Sequence, residues 1–246
     1  MSISLSLLLL TGSIEALQLL TLPPQTQQVV LVQGPSWSSQ RGTLQMFSRS
    51  QGKWLAVGRE VEVNLGRGGL GWGKGLHEER TDGPQKVEGD GKAPAGIFVL
   101  GSAFGYGQVP PGRGKWPYRQ ITERDYWVSD PNSAQYNQLV SLPLNSSEDP
   151  RQLWTSYEEM KRSDGLYEIG IIVDHNAAPV EKGKGSAIFF HVWRSARSPT
   201  AGCTAMSKEN LVALLQWLDP KKKPLLIQVP TTEISRVSLA RTLRSK

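Results

Sequence analysis

Cysteine is the scarcest chemistry-bearing residue in this chain of 246: there is one, Cys203, beside three histidines. A single cysteine excludes an internal disulfide framework and any zinc site built from cysteine pairs. The histidines, His77, His175 and His191, show no H-E-x-x-H spacing, which leaves a zinc peptidase without support. His77 does stand beside Glu78 and Glu79, but adjacent side chains rarely converge on one ion, and no metal is expected. No apolar run reaches the roughly 18 residues that a membrane-crossing helix needs. No block of Lys and Arg interleaved with aromatics marks a nucleic-acid surface, so no nucleic acid is expected as partner. The densest basic run, Lys221 to Lys223, follows a predicted helix end, where cations complement the helix dipole.

The remaining composition is that of a folded globular chain, 38% hydrophobic and 20% charged. Twenty-five glycines and 16 prolines favour turns and short strands over helical bundles. The net charge of +6 suits an acidic polymer as partner, the anionic bacterial wall among them. The apolar core Ile3 to Leu10, with small residues after it and a cleavage position after Ala16, reads as a signal peptide over residues 1–22, although its first residues carry no Lys or Arg. Export is therefore expected, with no membrane span in the mature chain.

From Gln28 the pattern predicts short strands at 29–32, 43–47, 54–57 and 61–65. The glycine-rich stretch 66–75 matches G-x-G-x-x-G literally. No helix can begin where glycines keep recurring, so a dinucleotide site is excluded and the stretch reads as a connecting loop; no cofactor is expected. A strand is predicted at 96–101. A helix is predicted over 149–162, with Pro150 in its first turn and Leu153, Tyr157 and Met160 on one face. Strands at 167–173 and 186–190 are expected to pair as a hairpin with a long loop. A helix from Ser207, as N-cap, and a core strand at 225–229 follow. Residues 231–246 are polar and basic and read as a loosely attached tail.

The chemistry concentrates in His191 to Met206, HVWRSARSPTAGCTAM. A buried strand delivers His191 at its end, a Ser/Arg/Pro loop follows, and Gly202-Cys203-Thr204 precedes the helix. A thiol between an imidazole and a helix N-terminus is expected to have a lowered pKa and to be a nucleophile. Gly202 lets the backbone approach a ligand and frees amides for an oxyanion. A lone cysteine is otherwise a small buried hydrophobe, and on residues alone both readings stand. His175, at the end of the preceding strand, either neighbours the site or is a core-bonded histidine.

The pattern H-x-W-R with T-A-G-C-T-A-M resembles the L,D-transpeptidase (YkuD-like) catalytic domain, and Glu88-Gly-Asp-Gly-Lys-Ala-Pro-Ala-Gly-Ile-Phe98 is similar to the G-D-G-x-T-P-x-G-x-F segment of that family. The resemblance covers about 28–230, and it departs from the usual pattern at Ala201 and Ala205. It implies a mainly β fold, a β-sandwich of mixed sheets with a few peripheral helices, over a catalytic domain at 23–230. It implies a Cys203 nucleophile with His191 as base, and peptidoglycan stem peptides as substrate in the periplasm or cell envelope. Gly202 and Thr204 would then serve the oxyanion, and Arg194 or His175 the substrate. The acyl group would pass through a Cys203 thioester to an amine; water as acceptor would make a carboxypeptidase. A non-catalytic wall-binding protein is the reading from another class.

Overall fold

The run Val29-Val-Leu-Val32 lies within strand β1 (Gln28–Gly34), and every one of its side chains is buried. Alternate residues enter different cores. Val30 and Val32 pack with residues from the facing strands, while Val29 and Leu31 pack on the opposite side with Phe47, Trp54 and Ile97. A strand buried on both faces has no polar alternation to show, which explains the uninterrupted apolar run. The structure, a computed structural model, describes residues 14–145 and 147–240.

Antiparallel β2 (Arg41–Ser50) and β3 (Lys53–Asn64) follow β1 as expected of a meander. The two strands predicted at 54–57 and 61–65 are one, bent at a register shift opposite Leu44/Met46, with Gly58 at φ +68°. After the short β4 (Leu70–Trp72) comes the long β5 (Ala93–Gly105). The hairpin β10 (Ile169–Val173) and β11 (Phe189–Val192) forms as predicted, and β12 (Thr204–Met206) runs parallel to β11. The last strand, β13 (Leu225–Pro230), inserts between β1 and β5. Because β10 pairs with β5 as well as with β11, the path β5-β13-β1-β2-β3-β12-β11-β10 closes on itself. The fold is mainly β with mixed sheets, and closure turns the expected facing sheets into one curled, ten-stranded sheet that also carries β4 and β6 (Tyr118–Gln120). Helix α2 (Lys208–Trp217) covers it, its N-cap Ser207 accepting from the Asn210 amide and its Leu211, Leu214 and Leu215 buried; α1 lies earlier in the chain.

A second, three-stranded sheet orders as β8-β7-β9, from β7 (Asp125–Val128), β8 (Gln138–Ser141) and β9 (Tyr157–Glu159). It overturns the helix predicted over 149–162. Asp149 caps only a single turn, α1 (Pro150–Leu153), and Trp154 is already extended. The Asp130 carboxylate then accepts from the Thr155 amide at 2.9 Å, and Tyr157 to Glu159 pair with β7. Leu153, Tyr157 and Met160 have helical spacing, yet the partners that decide the conformation lie some thirty residues upstream.

Both chain ends add to the core. Residues 14–19 are helical, and Leu17 and Leu22 are buried in the outer cluster. The apolar segment expected of a signal peptide, 3–10, lies outside the described residues. The segment expected to be a loose tail is tied down as far as residue 240: Ile234, Val237 and Leu239 are buried, and the Ala240 amide donates to the Leu76 carbonyl at 2.9 Å. Its polar letters hid an apolar residue at every second or third position.

Candidate active site

Strand register decides which side chains share the site. In the parallel pair β11–β12, His191 stands opposite Ala205 and Phe190 opposite Thr204. Phe190 and Met206 point into the core of the closed sheet. Alternation therefore sends Phe189, His191, Cys203 and Ala205 to the outer face. There Phe189 packs edge-on against Trp127 of the small sheet, ring centroids 5.0 Å apart. Between this face, the small sheet and the loop after β11 lies a cleft of about 400 Å³, and both His191 and Cys203 line it.

The Cys203 thiol is not a resting thiolate. It accepts from the Phe189 amide at 3.3 Å and donates to the Ala187 carbonyl at 3.3 Å. Burial pushes its pKa up to about 12, against one favourable amide bond. The expectation of a lowered pKa is corrected here. Helix α2 begins at Lys208, and the three extended residues of β12 stand between it and the thiol, whereas a helix dipole acts only within about one turn. Ala187, whose carbonyl takes the thiol proton's bond, has φ +54°, and the Asn137 side-chain oxygen accepts from its amide at 3.2 Å.

His191 is neutral as well, its pKa pushed down to about 4 by burial. Its Nδ1 lies 2.8 Å from the Val192 carbonyl oxygen, which assigns the ring proton to Nδ1 and the lone pair to Nε2. Tyr167 packs edge-on against the ring at 5.3 Å. The site thus holds an unprotonated imidazole nitrogen on β11 and a protonated thiol on the residue just before the adjoining β12.

The loop before Cys203 is built around Thr200. Its hydroxyl accepts from the Gly202 amide at 3.1 Å and donates to the Cys203 carbonyl at 2.6 Å. The Gly202 amide, expected to serve an oxyanion, is therefore engaged within its own loop. Gly202 itself is held at φ +150°, and a Cβ there would meet the Lys92 carbonyl oxygen at 3.0 Å.

Of the other expected site residues, Arg194 lines the cleft, where it is largely exposed and pairs with Asp164 at 3.1 Å. Thr204 does not line it: its hydroxyl turns to the other face of β12 and donates to Gln228 Oε1 at 2.7 Å. His175 does not line it either. Its Nε2 meets the Lys184 carbonyl at 2.9 Å, its Nδ1 accepts from the Lys74 amide at 3.2 Å, and burial lowers its pKa to about 4. His77 is likewise a core group, accepting from the Ile97 amide at 3.2 Å.

The cleft also holds charged residues absent from the expected set. Arg67, from the glycine-rich loop, is brought to the Cys203 loop by its amide bond to the Thr200 carbonyl at 2.8 Å. Lys86 is buried and pairs at 2.7 Å with Asp90, whose carboxylate also accepts from the Val87 and Lys92 amides and so closes the Glu88-Gly-Asp-Gly turn. Glu158 and Arg162 come with the small sheet and the turn after it. Arg162 forks onto Asp164 at 2.9 and 2.7 Å, and Glu158 lies 3.4 Å from Arg162 and 3.5 Å from the Tyr167 hydroxyl. The sequence signal for Arg67 was available, since a glycine-rich loop is where a backbone bends around a site. For Glu158 there was none, because its segment carried a helical spacing.

Fold and cleft together define a mainly β protein with a cysteine and a histidine facing one charged cleft from adjoining parallel strands. Residues 42–229 match the model of the YkuD family, the L,D-transpeptidase catalytic domain, and the chain belongs to that family. Among curated proteins none matches. Among solved structures it is similar to the helical cell shape determining protein Pgp2 from Campylobacter jejuni and to its K307A mutant, each at 16% identity with a TM-score of 0.39. Each alignment covers 85% of this chain and 52% of the other, so the chain spans about half the length of those proteins. Among the described residues no helix is long and apolar enough to cross a membrane.

Proposed function

We propose that this protein is an exported, cysteine-dependent L,D-transpeptidase acting on peptidoglycan stem peptides in the periplasm or cell envelope. The observation that supports the reading is the tautomer of His191. With Nδ1 pinned to the Val192 carbonyl, the free lone pair belongs to Nε2, on the face of β11 that Cys203 shares. Thiol and imidazole are both neutral at rest, so proton transfer accompanies attack instead of preceding it. As Sγ attacks the carbonyl carbon of the bond to D-alanine, its proton passes to His191 Nε2. The tetrahedral oxyanion takes the Cys203 amide, since Gly202 is engaged. The C–N bond breaks, His191 returns the proton to the leaving amine, and a Cys203 thioester remains. An amine then resolves it; water would give a carboxypeptidase. Arg67, beside the nucleophile loop, and Arg194 are the cations available to a stem carboxylate. The +6 charge of the chain suits an anionic wall.

The burial of the thiol favours a second reading, a wall-binding protein without covalent chemistry. One experiment decides. Intact mass is measured after incubating the protein with a carbapenem, beside Cys203→Ala. A stoichiometric adduct on the wild type alone is the expected result. No adduct, combined with no release of D-alanine from a donor tetrapeptide, leaves the binding protein as the account.

A further inference from the structure

The carboxylates around the cleft are unequally engaged. Asp90 is held by Lys86 and two backbone amides. Asp164 is forked by Arg162 and touched by Arg194. Glu88 accepts the hydroxyl of the buried Tyr136. Glu158 is different: its contacts with Arg162 at 3.4 Å and the Tyr167 hydroxyl at 3.5 Å both sit at the outer limit of a hydrogen bond. Arg162 makes its shorter contacts, 2.9 and 2.7 Å, with Asp164 and only a long ion pair with Glu158. Glu158 nevertheless lines the same cleft as Cys203, on the small-sheet wall. Its charge is near enough to raise the thiol pKa further, and its own carboxyl is raised by burial.

A carboxylate beside a nucleophilic thiol hinders thiolate formation. A role confined to the acylation step would therefore work against the chemistry, while a role after the thioester has formed carries no such conflict. Arg67, beside the nucleophile loop, lines the same cleft and suits an anionic group of the donor. The cleft thus offers cations to a donor carboxylate and, in Glu158, a carboxylate to an acceptor ammonium.

We propose, resting on the transpeptidase reading above, that Glu158 is the acceptor residue: its carboxylate binds an incoming ammonium and removes a proton from it, so that amines resolve the thioester in preference to water. The acceptor arrives as R–NH3+ and gives one proton to Glu158, becoming R–NH2. Its lone pair forms the C–N bond as the C–S bond breaks, and the electron pair of that bond goes to the Cys203 sulfur. The second proton leaves nitrogen for His191 Nε2 and passes to sulfur, restoring the thiol. Glu158 releases its proton to solvent. The sum is thioester plus ammonium giving amide, thiol and one proton. The acceptor class is therefore a primary amine protonated at neutral pH, such as the side chain of a diamino acid.

The test uses the full chain, a donor tetrapeptide ending in D-alanine, and an acceptor tripeptide with a free side-chain amine. Mass spectrometry reads three quantities in wild type, Glu158→Gln and Glu158→Asp: acyl-enzyme, cross-linked product and hydrolysed donor. In Glu158→Gln we expect the ratio of cross-link to hydrolysis to fall at least tenfold, with acyl-enzyme forming no more slowly than in the wild type because a charge that opposes the thiolate is gone; Glu158→Asp retains part of the ratio. An unchanged ratio overturns the proposal while the transpeptidase reading stands. Slowed acyl-enzyme formation in a folded Glu158→Gln also overturns it, by moving Glu158 to the donor step. If Glu158→Gln does not fold, the Asp variant is read by the same ratio. No acyl-enzyme on the wild type sinks the parent reading and this one with it.

Discussion

The Thr200 hydroxyl donates to the carbonyl oxygen of Cys203 at 2.6 Å, so Cys203 is positioned by a side chain three residues before it. The Thr200 hydroxyl oxygen also accepts from the Gly202 amide, and the two bonds fix the turn that carries the thiol. Thr200→Val keeps the shape and removes both. We expect a stability loss of about 1–2 kcal/mol and acylation slowed by about tenfold or more, with Thr200→Ser restoring both. Urea unfolding and the rate of carbapenem adduct formation measure them. An acylation rate unaffected by Val removes the positioning role.

A thiol with its pKa pushed up to about 12 reacts slowly with alkylating agents. Iodoacetamide should modify Cys203 at neutral pH at least about 100-fold more slowly than a free cysteine. The rate should also keep rising with pH to the limit of the native fold. A plateau below pH 9 would show a thiolate at rest and overturn the neutral-pair mechanism.

All three histidines are buried, with pKa values lowered to about 4, where each titrates near 6.5 in the unfolded chain. Between those values the unfolded chain binds the additional protons, so stability is full above pH 6.5 and falls as pH drops toward 4. Each contributes on the order of 3 kcal/mol, and the raised carboxyls of Asp174 and Glu158 offset part of the sum. Urea midpoints should decline continuously from pH 7 to 4.5. A flat profile across that range contradicts the neutral buried histidines.

Thr204 separates structure from chemistry. Its hydroxyl is committed to Gln228, whose amide in turn donates to the Pro94 carbonyl at 2.8 Å. Thr204→Val should cost about 1–3 kcal/mol of stability by leaving the Gln228 oxygen unpaired. The acylation rate of the folded variant should stay within twofold of wild type. A selective loss of acylation would return Thr204 to the site.

What the sequence disclosed and what it hid follow one physical division. The unbroken Val29–Val32 run and the Ser207 cap are local signals, and local rules found them, as they did the strand that brings His191 to the cleft Cys203 also lines. The parity of Thr204 was also open to reading, had the residues after Cys203 been taken as a strand instead of a helix approach. Glu158 was not, because the bonds that hold its segment extended come from Asp130 and β7. The burial that neutralises Cys203 and His191 likewise comes from Trp127, Phe104 and Tyr167, residues far away in the chain. Proximity in sequence reported the partners, while the surroundings that set their protonation were assembled by the fold.

The place of β13 has a consequence for biosynthesis. The last strand among the described residues sits between β1, the first of them, and β5, and completes the closed sheet. A chain still emerging from the ribosome leaves both neighbours with open edges until residue 230 is free. Closure of the sheet is therefore withheld until β13 has been made, and the cleft beside β11 and β12 gains its finished framework only then.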